Sequence, residues 1–82
     1  MNRMLFSPLK VYCNDKGEPV KVIEFAGEFQ VKEIFEFWHD VGCWWEGESE
    51  KVFYRLLYQD RGIREIFQDL DSKRWFLYKI YD

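Results

Sequence analysis

The sequence predicts an all-β domain, a small antiparallel meander of five strands. Turn-forming residues recur at short intervals, and the segments between them are rich in β-branched and aromatic residues. This spacing is typical of a meander, sandwich or barrel. Aromatic residues make up 21% of the 82 residues, which supplies large side chains for the core of a chain whose length is otherwise marginal. The chain has room for a single domain spanning residues 1–82.

The first half of the chain predicts two strands joined by a tight turn. Residues 20–26 alternate between apolar and polar side chains, and Gly27 allows the chain to reverse into a second strand over residues 28–38. Residues 1–9 precede the first strand, and we expect them to form a poorly ordered N-terminal arm. This hairpin would begin the meander.

The segment from residue 29 to 41 also fits a helix. Val31, Ile34, Phe35 and Trp38 share one helical face. The same segment is rich in Phe, Trp, Val and Ile, which favour strands, and no Ser, Thr, Asp or Asn near residue 30 can cap a helix. We therefore expect a long, bent strand, with an α+β fold containing one short helix at residues 31–40 as the alternative.

The second half predicts three strands, at residues 51–59, 63–69 and 74–81. The turn before residue 63 joins the first two into a hairpin. The last strand has apolar side chains on both faces, which is typical of a strand with neighbours on both sides. Five short strands of this kind predict a partly open barrel of the SH3-like type. The candidate core residues are Trp38, Phe53, Ile66, Leu77 and Ile80.

Charge is distributed unevenly along the chain. Residues 1–50 contain five Lys and Arg against ten Asp and Glu, and residues 51–82 contain seven against five, for a net charge of −3. Binding to the phosphates of duplex DNA needs a basic face, so the balance argues against duplex DNA as a partner. Charged residues interrupt every apolar stretch, so we expect no membrane span.

The cysteine content indicates a reducing compartment. Cys13 and Cys43 are the two cysteines, and residues 1–9 lack the apolar core of a signal peptide. Secreted domains of this size usually contain several disulfides. We therefore expect a cytoplasmic protein without a disulfide.

A distinctive spacing of glycine and aromatic residues runs along the chain. It reads Gly27-x-Phe29-x-Val31, then Trp38-x-x-x-Gly42-x-Trp44-Trp45-Glu46, and finally Trp75-x-Leu77 and Tyr81. Over about residues 19–82 this pattern resembles a small bacterial family of unknown function, some members of which lie beside or are fused to Y-family-like translesion DNA polymerase proteins. The resemblance implies an accessory role in DNA repair or replication, with a repair polymerase-like protein as partner, and it brings no catalytic residues. This chain is acidic around Glu28 and His39-Asp40, where the family is more basic, which argues against nucleic-acid binding.

Two consecutive tryptophans give the clearest signal for recognition. Neighbouring residues on a strand point to opposite faces, so we expect one of the two rings to be exposed. The alternative is that the loop curls and both rings cover an open end of the core. An acidic flank follows the rings. We predict that Trp44, Trp45, Glu46 and Glu48 bind a protein partner, and a homodimer interface is a further use of an exposed ring.

An aromatic and basic set in the second half predicts a different ligand. Arg55, Arg64, Arg74 and Trp75 would suit single-stranded nucleic acid if their strands are adjacent, with Arg55 and Arg64 on one face. The alternative is that the arginines pair with carboxylates of neighbouring strands, which contributes little to binding. Single-stranded nucleic-acid binding is therefore the second functional hypothesis.

The sequence predicts neither catalytic nor metal-binding residues. His39 and Asp40 lie close to Cys43, but the chain has no second His and no Cys-x-x-Cys motif. The five glycines are dispersed one at a time, so no phosphate-binding loop is present. We expect a non-catalytic module without a cofactor, and a small enzyme is the remaining alternative.

Overall fold

The computed structural model describes residues 3–42, 47–60 and 62–81, and the secondary structure within these ranges is entirely β. The strands are β1 (Arg3–Cys13), β2 (Pro19–Glu24), β3 (Gly27–Asp40), β4 (Lys51–Tyr58), β5 (Ile63–Asp69) and β6 (Trp75–Tyr81). The sequence of residues 29–41 fitted either a strand or a helix. The structure has a strand there, as expected, and the helical alternative at residues 31–40 is wrong. These ranges include no helix that is long and apolar enough to cross a membrane.

The six strands form a closed antiparallel barrel in which each strand pairs with its neighbours in sequence and β6 pairs back to β1. The prediction of a small, SH3-like, all-β barrel is confirmed, but the barrel has one more strand than expected and is closed rather than partly open. The additional strand is β1, which includes residues 3–9, the expected arm. Pro8, which has no backbone N–H to donate, is part of this strand. It lies near the point where β1 changes its partner from β6, at Leu9, to β2, at Lys10.

The barrel interior is filled by one apolar cluster. Its fully buried members are Val22, Leu56, Tyr58, Ile66 and Leu77. Two of the predicted core residues, Ile66 and Leu77, belong to this cluster, and Ile80 is partly buried against it. Because the cluster draws on strands from both halves of the chain, its burial holds the hairpins together.

A second apolar group lies on the opposite, outer face of the sheet. Phe67 is adjacent to the inward-facing Ile66 in sequence, and consecutive residues of a strand point to opposite faces. We define the outer aromatic row as Trp38, Phe53, Phe67, Phe76 and Tyr78, whose neighbouring ring centroids lie 5.0–6.0 Å apart.

Two residues that were predicted to lie in the core belong to the outer aromatic row instead. Phe53 is buried, but it lies in the row rather than in the barrel interior. Trp38 is only half-buried and stacks on Phe53 at one end of the row, so its assignment to the core is corrected. Its partner in register is Phe53, and the pairing places both rings outside the barrel.

Candidate protein-interaction surface on β3

Strand β3 extends well beyond the strand beside it. β2 has 6 residues and pairs with β3 from Gly27 to Gln30, whereas β3 has 14 residues. From Val31 to Asp40, β3 pairs with β4 on one side. On its other side, no strand pairs with residues 32–40 within the ranges that the structure describes. We call these residues the β3 edge, since an unpaired strand can accept a further strand through its backbone.

The turn around Asn14 explains why β2 begins only at Pro19. The side-chain oxygen of Asn14 accepts hydrogen bonds from the backbone N–H groups of Lys16 and Glu18, at 2.9 and 3.0 Å. Gly17 adopts a positive φ of 81° in this turn, a conformation that glycine tolerates best. Pro19 then starts β2 without a backbone donor. Because the chain reverses direction over residues 14–18, β2 has no residues before Pro19 that could pair with the rest of β3.

Large apolar side chains are exposed along the β3 edge. Phe35 is 44% exposed and Phe37 is 69% exposed, and Val41, just beyond the edge, is 61% exposed. Phe35 lies at a bulge in the pairing between β3 and β4. Isolated apolar side chains are common on protein surfaces, whereas these side chains follow one another along an unpaired strand, which makes the strand a candidate binding surface.

A groove runs between the β3 edge and the turn that precedes β2. Its floor is apolar, formed by Ile34, Phe37 and Tyr54, and its rim carries Lys16 and Glu18. The rings of Phe37 and Tyr54 lie 6.1 Å apart. The groove is bordered by residues that lead into β2, so a segment bound in it would contact apolar side chains.

The β3 edge is acidic. Glu36 forms an ion pair with Arg55 across to β4, and His39 contacts Glu50 at 3.0 Å. Lys32 and Glu33 are exposed, and no ion pair involving either is seen within the described part of the chain. Asp40 accepts a hydrogen bond from the backbone N–H of Gly42 at 2.9 Å.

The predicted protein-binding residues follow the β3 edge in sequence. Trp44, Trp45 and Glu46 lie outside the described residues. Glu48 is exposed and lines a second groove together with Val41, Gly47, Ser49, Glu50, Leu70 and Asp71. Through Val41, this groove is continuous with the end of the β3 edge.

The residues of the nucleic-acid hypothesis do not form one surface. Arg55 pairs in register with Glu65, and Leu56 pairs with Arg64. Arg55 therefore lies on the outer face and Arg64 in the barrel interior, contrary to the expected common face. Arg55 donates a hydrogen bond to Glu65 at 2.9 Å, which is the cross-strand pairing given as the alternative. This hydrogen bond raises the pKa of Arg55 further above its usual range.

The other two residues of that hypothesis are also separated. Arg74 is exposed at the start of β6, with its guanidinium 5.4 Å from the ring centroid of Phe76. Trp75 is half-buried, and its ring lies 5.7 Å from that of Tyr54, towards the barrel interior. The two side chains, adjacent in sequence, thus point to opposite faces.

Within the described part of the chain, Glu24, Tyr58 and Arg64 form a polar cluster in the barrel interior. Tyr58 donates a hydrogen bond to the carboxylate of Glu24 at 2.9 Å, and the Nε atom of Arg64 lies 3.8 Å from the same oxygen. Burial raises the pKa of Tyr58 strongly. Since all three side chains are largely enclosed, they stabilise the interior rather than present a site to a ligand.

No arrangement suited to metal binding occurs in residues 3–42, 47–60 and 62–81, where no group of three His, Cys, Asp or Glu side chains converges. His39 is exposed and bound to Glu50, and Cys43 lies outside those ranges. Comparison with known protein families, with curated protein sequences and with solved structures gives no match to this chain. Function is therefore inferred from the β3 edge and its surroundings.

The β3 edge could have been predicted from the unequal lengths of two predicted strands, although the pattern of residue types does not indicate it. The predicted strands at residues 20–26 and 28–38 differ in length, and their difference falls at the end where the longer strand has Phe35 and Phe37. A strand that outlasts its neighbour must expose part of its edge. The aromatic side chains there were instead assigned to the core or left open.

Proposed function

We propose that this protein is a non-catalytic protein-interaction module that binds an extended segment of a partner protein along the β3 edge. The observation that carries the proposal is that residues 32–40 pair with β4 on one side only, while Phe37 is exposed beside an apolar groove. Addition of a strand supplies main-chain hydrogen bonds, which give affinity. Contacts between the partner's side chains and the groove give specificity.

The chemistry of the surface defines the partner segment. An apolar side chain of the segment would pack on Phe37 and Tyr54 in the groove. The carboxylates of Glu33, Asp40 and Glu48 favour a segment with net positive charge. Complementary charge at an exposed rim mainly increases the association rate, and salt screens it. We therefore propose a basic, extended segment with alternating apolar residues.

The loop after β3 would take part in the same interaction. Trp44, Trp45, Glu46 and Glu48 would extend the contact beyond the end of the β3 edge. The partner would be a bacterial repair or replication protein of the polymerase-like kind implied by the family resemblance, met in the cytoplasm. This context is supported by the residue pattern, and the binding mode by the geometry of β3.

A displayed library of ten-residue peptides, selected on the immobilised protein, tests the binding mode. We expect the selected peptides to be basic and to shift the backbone amide NMR signals of residues 32–40. Phe37→Lys places a charge in the groove and should weaken their binding at least tenfold. The matched control is Phe25→Lys, because Phe25 is 101% exposed in the turn between β2 and β3, away from the groove.

Two outcomes would contradict the proposed binding mode. The first is that selected peptides bind the Phe37→Lys variant as tightly as the original chain. The second is that the shifted amide signals lie mainly outside β3 and the loop that follows it. Both variants change an exposed residue, so circular dichroism should show the same fold and confirm that lost binding is local.

Single-stranded nucleic acid is the second candidate ligand. The observation in its favour is that Arg55 and Arg74 contact aromatic rings of the outer face, with Arg55 5.6 Å from the ring of Tyr81 and Arg74 5.4 Å from that of Phe76. Its test is the quenching of tryptophan fluorescence by single-stranded oligonucleotides at low and moderate salt. Saturable quenching that weakens steeply with salt would support this candidate over the first.

A further inference from the structure

We propose that the partner segment places an aromatic side chain directly opposite Trp38, where it continues a ladder of stacked rings that crosses the sheet. This inference rests on the proposed function, since it names the side chain by which the β3 edge recognises its partner. The anchor lies on the outer face of the sheet, whereas the groove at Phe37 lies on the inner face. The two contacts therefore read consecutive residues of the same segment.

The outer aromatic row contains a ladder with one ring on each of four adjacent strands. Its members, each the register partner of the next, are Trp38 on β3, Phe53 on β4, Phe67 on β5 and Phe76 on β6. Successive ring centroids lie 5.2–5.3 Å apart. Neighbouring strands are separated by about 4.8 Å, so one ring per strand keeps all four rings in contact.

The two ends of the ladder differ. At one end, β1 places Pro8 directly opposite Phe76, so the chain itself provides the next side chain. At the other end, no strand follows Trp38 within the described part of the chain. The Trp38 ring is partly exposed, and its contacts with Phe53 and Arg55 both come from β4. An added strand would bring the side chain opposite Trp38 to the spacing of the ladder, where an aromatic ring can stack.

Two bulges limit the length of β3 over which a segment can pair regularly. The register between β3 and β4 skips Lys32 and Phe35, whereas it is uninterrupted from Glu36 to Asp40. A bulge bends its strand and disturbs further pairing at an edge. Residues 36–40 are therefore the part of the β3 edge that an added strand can follow, and Trp38 lies at their centre.

The charges around Trp38 define the neighbours of the aromatic anchor. Glu36 and Asp40 lie two residues before and after Trp38, so they share its face of the sheet. A Lys or Arg two positions away from the anchor on each side would lie opposite these carboxylates. Glu36 already forms an ion pair with Arg55, and Asp40 is the register partner of Lys51. The added cations therefore contribute modestly to affinity, and the aromatic ring supplies most of the preference.

The direction of the segment assigns its remaining positions. All pairs of neighbouring strands in the barrel are antiparallel, and an antiparallel segment continues that pattern. Its residue after the anchor then lies opposite Phe37 and faces the groove, where an apolar side chain fits. Its residue before the anchor lies opposite His39. From N- to C-terminus, the segment reads Lys or Arg, any residue, an aromatic residue, an apolar residue, and Lys or Arg.

Three synthetic ten-residue peptides with the same uncharged flanks test the anchor. Their central residues are Lys-Thr-Phe-Val-Lys, Lys-Thr-Leu-Val-Lys and Lys-Phe-Thr-Val-Lys. The first places Phe opposite Trp38, the second removes the ring, and the third has the composition of the first but places Phe opposite His39. In NMR titrations, the first should bind the unmodified chain about three- to tenfold more tightly than either of the others. It should shift the indole N–H signal of Trp38 and the amide signals of residues 36–40.

Exchange of Trp38 locates the preference on the protein. Trp38→Leu should bind the Phe and Leu peptides with equal affinity, whereas Trp38→Phe keeps a ring and should retain the preference for the Phe peptide. A general loss of affinity would not produce this difference, because it would weaken both peptides alike. Phe25→Lys is the control at an exposed position outside the edge and should bind as the unmodified chain does. The dispersion of the amide signals confirms that each variant is folded, and the three peptides on the unmodified chain decide the question without Trp38→Leu.

The inference is overturned if the three peptides bind residues 36–40 with equal affinity, or if folded Trp38→Leu retains the preference for the Phe peptide. Either result would leave the proposed function standing, because a segment would still bind the β3 edge. If neither these peptides nor those selected from the displayed library shift the signals of residues 32–40, the proposed function is removed and the anchor with it.

Discussion

At the scale of single residues, the carboxylate of Glu24 is the least expected feature of the barrel interior. It is only 8% exposed, and Tyr58 beside it is fully buried. A buried carboxylate is costly unless it is hydrogen-bonded. Tyr58 supplies that hydrogen bond, and Arg64 supplies the opposite charge. These three residues therefore depend on one another.

Tyr58→Phe removes the hydrogen bond and retains the ring. We expect it to lower the free energy of unfolding by about 1–3 kcal/mol, because Glu24 then lacks its donor in a buried position. Urea denaturation at neutral pH measures the loss from the transition midpoint. Tyr12→Phe is the control, since Tyr12 is 42% exposed and its change should cost little. Equal stability of the two variants would contradict the role given to Tyr58.

The same residue predicts how stability depends on alkaline pH. Burial raises the pKa of Tyr58 in the folded protein above its ordinary value of about 10. Tyr58 is neutral in both states below that value, so its contribution is complete there. Above about pH 10 the unfolded chain ionises first, and stability falls as the pH rises. The fall should be shallower for Tyr58→Phe in urea denaturation at several pH values, and an unchanged slope would contradict the assignment.

Residue patterns predicted that the apolar side chains pack in clusters. They did not predict on which face of the sheet each cluster lies. Ile66 and Leu77 are in the core, as expected, because apolar residues on adjacent strands usually face inward. Trp38 and Phe53 are outside the barrel, because this sheet is apolar on both faces. Alternation shows which residues share a face, but it does not show which face is inside.

At the scale of strands and turns, the connection after β3 depends on Gly42. This residue adopts a φ of 69°, and a Cβ atom placed there would lie 2.9 Å from the backbone oxygen of Ser49. Gly47, in the same connection, has a φ of 83° but no heavy atom within 4 Å of such a Cβ atom. The two glycines thus share a conformation and differ in packing.

Gly42→Ala should destabilise the protein more than Gly47→Ala. A non-glycine residue at positive φ costs about 1 kcal/mol, which applies to both variants. The close approach to Ser49 adds strain at position 42, so we expect a total loss of about 2–3 kcal/mol there. Thermal unfolding of both variants gives the comparison. If Gly47→Ala is the less stable variant, the packing described around Gly42 is incorrect.

The strands from β2 to β6 could be predicted closely, and β1 could not. Each of the five predicted ranges overlaps its observed strand, because turn residues separate short β-branched and aromatic segments. β1 was missed because residues 1–9 were expected to be an arm. Pro8, which cannot donate a backbone hydrogen bond, lies within this strand close to a change of pairing partner. The free edge of β3 was missed because it depends on the relative lengths of two strands, which uncertain strand ends obscure.

At the scale of the whole molecule, β1 closes the barrel. It pairs with β6 from Arg3 to Leu9 and with β2 from Lys10 to Cys13. Leu9 and Val11 also pack against the core. A fold that was predicted to begin at residue 20 therefore depends on residues that precede it.

Deletion of residues 1–9 should prevent folding. It would leave β6 without one neighbour and expose part of the core, so we expect the dispersion of the amide proton NMR signals to collapse. Phe25→Lys, at a fully exposed position, is the control and should leave the dispersion unchanged. A truncated chain that starts at residue 10 and retains a dispersed spectrum would show that these residues are an arm, as the sequence first indicated.

The pairing of β1 with β6 also has a consequence for synthesis of the protein. β1 is synthesised before the other five strands, but its partner β6 is complete only when the chain has been made as far as Tyr81. Until then the nascent chain cannot complete its sheet, and its unpaired strands can associate with other chains. Because contacts between distant parts of a chain also form slowly, the newly made protein passes through a period in which protection by a ribosome-associated chaperone would matter most.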